Sequence, residues 1–102
     1  MGAIKVTNKF AGGSWHGHTY VTTAAKLMEA FGPPEGIWWW EKCNYHWELE
    51  TEEGLLFTIY DYRRPRFGEE VEIDWHIGAA TTEDGELAVA ALEEFFDVLY
   101  GG

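Results

Sequence analysis

Three segments of this chain alternate apolar and polar residues with period two, and no other feature restricts its fold as much. From Asn44 to Glu50, Tyr45, Trp47 and Leu49 take one side while His46, Glu48 and Glu50 take the other. From Leu55 to Tyr62, Leu55, Phe57 and Ile59 share a face, and Leu56, Thr58, Tyr60 and Tyr62 share the opposite one. From Val71 to Ile77, Val71, Ile73 and Trp75 oppose Glu72, Asp74 and His76. Alternation of this kind predicts half-buried antiparallel strands, and Glu52-Glu53-Gly54 predicts a tight hairpin between the first two.

Two other segments carry the helical period. Tyr20, Ala24, Leu27, Met28 and Phe31 recur at helical spacing, so a helix is expected over Thr22 to Phe31, capped by Thr22 or Thr23 and ended by Gly32-Pro33-Pro34. A second is expected over Glu83 to Tyr100. Acidic residues at its start suit the macrodipole, and a stripe runs through Ala88, Ala91, Leu92, Phe95 and Leu99. An N-terminal stretch with Val6, Phe10 and Trp15 can add an edge strand. The expected fold is α+β: a small antiparallel sheet of three or four strands with two helices packed on one face. At 102 residues the chain has room for one core, and no linker or repeat divides it, so residues 1–102 read as a single domain.

In this arrangement the helices cover Trp47, Phe57, Ile59, Ile73 and Trp75. The other sheet face then bears His46, Thr58, Tyr60, Tyr62 and His76, rings and hydrogen-bonding groups that the period-two pattern leaves exposed. A slip of one residue in register would exchange the two faces.

Charge narrows the ligand. The formal net charge is -11, and the only arginines, Arg63, Arg64 and Arg66, follow the aromatic strand Ile59-Tyr60-Asp61-Tyr62. Extended nucleic acid needs a broad basic surface that this chain lacks, but a compact anion needs only a local patch. Guanidinium groups pair with phosphate and aromatic rings stack on bases, so a small anionic nucleotide is a candidate ligand. The alternative is that the arginines neutralise a few of the eighteen carboxylates. Acidic runs at Glu48 to Glu53, Glu69 to Asp74 and along the last helix offer a further alternative, an acidic protein-binding inhibitor that imitates DNA phosphates against a host enzyme. Seventeen aromatic residues exceed the needs of one small core and predict a homo-oligomer.

Other chemistries find little support. His16-Gly17-His18 and Cys43 with His46 have zinc-ligand types, but nothing in the sequence brings the two segments together, so no metal is expected. Ser14 lies near His16 without a nucleophile elbow, and Gly12-Gly13 opens no phosphate loop with a lysine, so neither catalysis nor a cofactor is expected. A single cysteine, short apolar runs and no secretory signal predict a protein of the reducing interior, away from membranes.

The glycine-rich start through Tyr20 and Phe31-Gly32-Pro33-Pro34, then Trp47, Gly54, Thr58-Ile59-Tyr60-Asp61-Tyr62-Arg63 and Trp75-His76-Ile77-Gly78, resembles a widespread group of small bacteriophage proteins. The resemblance covers most of the chain and points to the anti-CBASS cyclic-nucleotide sponge proteins. It implies an oligomer in the host cytoplasm that sequesters a cyclic dinucleotide without cleaving it. Tyr60, Tyr62, Arg63 and His76 match the shared motifs and are implied ligand contacts; Arg64 joins them on charge, and Trp15 and His18 as part of the N-terminal segment. That segment, Trp15-His16-Gly17-His18, departs from the more aliphatic form of the group.

Overall fold

A computed structural model describes residues 3–9, 15–34, 43–62 and 68–101. Five strands and two helices run in the order β1 (Ile4–Val6), β2 (Trp15–Thr23), α1 (Ala24–Phe31), β3 (Cys43–Thr51), β4 (Leu56–Tyr62), β5 (Glu72–Ala79) and α2 (Thr82–Tyr100). The strands form one antiparallel sheet in the order β1-β3-β4-β5-β2. Strands β3, β4 and β5 form a meander, and the N-terminal strands close its two margins. The fold is thus the expected α+β, with five strands where three or four were expected.

The extra strand comes from residues 15–23. Tyr20 and Thr22 fit a helical stripe on spacing alone, but Thr19-Tyr20-Val21-Thr22-Thr23 is dense in β-branched and aromatic side chains, which suit a pleated surface better than a helix. Both residues therefore lie in β2, opposite Trp75 and Ile73, and α1 starts at Ala24. Thr23 caps it, accepting the Lys26 N–H on its hydroxyl. Gly32, at φ 83, ends it with its N–H donating to the Met28 carbonyl.

Register settles the two faces. Trp47, Ile59 and Ile77 are cross-strand partners, as are Leu49 and Phe57, and all five are fully buried. They form one core with Ile73, Trp75, Leu27 and Phe31 of the first helix, and Ala88, Leu92 and Phe96 of the second. Both helices therefore cover this face. Trp47 and Trp75 meet edge to face, with ring centroids 5.8 Å apart. Each buried indole keeps a hydrogen bond, to the carbonyls of Gly32 and Thr22 respectively.

Along α2 the buried stripe is Ala88, Leu92 and Phe96. Phe95 and Ala91 are only half-buried and Leu99 is exposed, so the helix is turned from the expected stripe toward Phe96. Phe96 wins because it packs against Tyr20 at 5.9 Å and Phe31 at 6.0 Å, from both neighbouring elements. No helix among the described residues is long and apolar enough to cross a membrane.

Candidate functional site

The face turned away from the helices is organised in cross-strand rows. His46, Tyr60, His76 and Thr19 form one row, each paired with the next across β3, β4, β5 and β2. Glu48, Thr58 and Gly78 form the next, and Lys5, Glu50 and Leu56 a third. The parity read from the sequence is therefore the parity of the structure. Tyr60 and His76 lie on the helix-free side, with ring centroids 5.5 Å apart and planes inclined by 24°.

This face is not open over its middle strands, however. His46 is 2% exposed, Tyr60 4% and Thr58 5%, while His76 and Leu56 are half-buried and Thr19, at the β2 margin, is exposed. The exposed sheet expected from alternation is corrected over β3 and β4 to a buried polar layer, where register sets the side chains within hydrogen-bonding and stacking reach of one another. His46 Nε2 lies 2.8 Å from Glu48 Oε2. The Thr58 hydroxyl donates to Glu48 Oε1, also at 2.8 Å. One carboxylate thus joins two strands and orients an imidazole, the kind of arrangement a buried ionisable group needs to be tolerated.

Glu50 extends the layer toward β1, where Lys9 Nζ stands 3.2 Å from its Oε2. The hydrogen bond from Lys9 holds the Glu50 carboxyl below the usual carboxylate range, against a smaller opposing effect of burial. On the helix-covered side, Asp61 is fully buried and accepts the Tyr45 N–H at 2.7 Å, where β3 leaves regular register between Cys43 and His46.

No family model matches this chain, and neither does any curated protein or solved structure.

The residues expected to contact ligand fall into three groups. Tyr60 and His76 are brought together as a stacked pair. His18 is not, since it pairs with Ile77 and so stands on the helix-covered side of the sheet, at its margin. His18 was a candidate only as part of the N-terminal segment, and its side of the sheet follows from the regular β2–β5 pairing that runs from His18 to Thr23. Arg63 and Arg64, with Arg66, lie outside the described residues, as do the side chains of Trp15, His16 and Tyr62. Strand β4 ends at Tyr62, so the arginines follow directly in sequence from the strand that carries Tyr60.

Strand order also bears on the zinc alternative. Strands β4 and β5 separate β3 from β2, which sets their backbones about 14 Å apart at ordinary strand spacing. His46 and His18 further point to opposite faces, so these two imidazoles do not share a site.

Glu48 was not among the candidates expected from sequence, although its position next to His46 and Thr58 on the face was legible there. The signal was a carboxylate two residues from a histidine on a half-buried strand, where a partner is obligatory. Its burial at 7% exposure, with Glu50 at 8%, also removes both residues from the acidic run that would imitate phosphates. Glu83, Glu86, Glu93, Glu94 and Asp97 on α2 are exposed and keep that surface acidic.

Proposed function

We propose that this chain is a binding protein that sequesters a cyclic oligonucleotide signal without cleaving it, as a phage immune-evasion sponge does in the host cytoplasm. The stacked Tyr60–His76 pair carries the reading: it is an aromatic platform on the helix-free sheet face, with the half-buried imidazole as its accessible ring. A base stacks on His76, whose ring nitrogens can also reach a base edge or phosphate. The sequence supplies guanidinium groups at Arg63 and Arg64, directly after β4, to pair with phosphates. The His46–Glu48–Thr58 network flanks the platform on the same face and holds its neighbours in place, so little side-chain freedom is lost on binding. Tyr62 and Trp15 are further candidate contacts, and a second copy of the chain would complete the site.

A thermal-shift screen with a panel of cyclic dinucleotides tests this, followed by chromatography of the ligand released on denaturation. One or a few members should raise the melting temperature and be recovered intact. Absence of any shift removes the reading, and recovery of a cleaved product replaces it with a hydrolase. His76→Ala should weaken binding by about tenfold or more, the usual worth of a base–ring stack.

A further inference from the structure

A second site lies on the other side of the sheet. A cleft of about 250 Å³ opens between the margin of β2 and the last turns of α2, lined by Tyr20, Thr22, Lys26, Glu93, Phe96, Asp97 and Tyr100. Tyr20, Phe96 and Tyr100 stack in series at 5.9 Å per step, with inclinations of 17° and 12°. The inner ring faces are therefore spent on one another, and Lys26 Nζ, 5.4 Å from the Tyr100 centroid, takes another. What the cleft offers a ligand is ring edges and two carboxylates. Glu93 and Asp97, four residues apart on α2, both act on Tyr20: burial, then Glu93, then Asp97 raise its phenol above the usual range. Among the described residues neither carboxylate has a side-chain hydrogen bond or ion pair.

The cleft adjoins the outer backbone margin of β2. Strand β2 is last in the sheet, nine residues long, and among the described residues no strand pairs with its outer side. A strand added there would lie one spacing, about 4.8 Å, from β2 and send alternate side chains toward the helices, over Glu93 and Asp97.

We propose that this margin binds an extended, cationic segment of a partner protein, which pairs with β2 as a sixth strand and places a lysine or arginine in the cleft. Charge selects this occupant. Glu93 and Asp97 stand at this margin of a chain that carries -11 formally, so a basic segment is drawn to it and an acidic one is repelled. The ammonium or guanidinium group pairs with Glu93 and Asp97, its aliphatic stem lies along the ring edges, and Val21, 55% exposed on the opposite face, receives an apolar neighbour. The site is separate from the Tyr60–His76 pair and does not depend on the nucleotide reading.

The test uses a capped peptide of alternating lysine and valine, its glutamate–valine counterpart, and a lysine–valine version methylated on alternate backbone nitrogens. Calorimetric titration and amide shifts in NMR spectra follow binding. The lysine peptide should bind at low salt and shift the amides of residues 17–23. Exposed Glu93 and Asp97 tolerate substitution, and the double variant Glu93→Gln, Asp97→Asn should weaken binding by about tenfold. The methylated peptide should fail, because it cannot complete the strand ladder. Equal binding of the glutamate peptide, unchanged affinity of the double variant, or shifts confined to another surface would overturn the proposal. So would a dimer paired through β2 that the lysine peptide does not dissociate.

Discussion

The Glu48 carboxyl group stands between His46 Nε2 and Thr58 Oγ1, 2.8 Å from each, and a buried polar group so placed depends on both partners. Thr58→Val keeps the shape and removes one donor, so it should cost about 1–3 kcal/mol, read as a lower urea midpoint at unchanged slope. His76→Ala should behave differently. It removes a stack worth about 1 kcal/mol from a half-buried ring, so stability should fall little while nucleotide affinity falls much. Such a contrast separates a recognition residue from a structural one. Tyr100 gives a pH test. Its hydroxyl donates to Glu29, and that bond, more than burial, raises its value from 10.0 to about 12. The folded chain thus holds this proton more tightly than the unfolded one. The contribution is whole below pH 10 and is lost as pH rises through about 12. The stability difference between the parent and Tyr100→Phe, measured by denaturant unfolding, should be constant below that window and shrink across it.

The helix boundaries show how far local pattern carries. Gly32-Pro33 ended α1 where expected, since a residue at φ 83 followed by proline leaves no continuation of the helix. Its start was misplaced by two residues, because Thr22 satisfies both periods and only its pairing with Ile73 in β2 decides between them. The cap is nonetheless Thr23, one of the two residues expected. Thr23→Ala should destabilise the chain by about 1 kcal/mol, seen in a shifted chemical-denaturation midpoint. In β3, β4 and β5 the alternation placed every core residue on its side, since one face of a sheet cannot be apolar by accident over three strands. What alternation could not convey was the exposure of the second face. Whether a polar side chain meets solvent or a neighbour depends on cross-strand register, and Glu48 reaches Thr58 only because the β3–β4 pairing sets them opposite. The side taken by His18 likewise depends on its pairing with Ile77, which local pattern does not carry.

Across the whole molecule, eighteen carboxylates face seven basic side chains. Self-repulsion of this size opposes compactness, and salt screens it over about 10 Å at 0.1 M. Raising sodium chloride from a few millimolar should therefore raise the melting temperature in calorimetry, while it weakens any complex with a cationic peptide. The two opposed trends distinguish internal repulsion from partner attraction. The order of the sheet has a separate consequence for synthesis. The bond from the Trp75 indole to the Thr22 carbonyl spans 53 residues, so β2 leaves the ribosome long before the strand it pairs with. Until β5 emerges, this threonine-rich stretch lacks its strand partner, and the nascent chain must hold it unpaired through the slowest part of assembly.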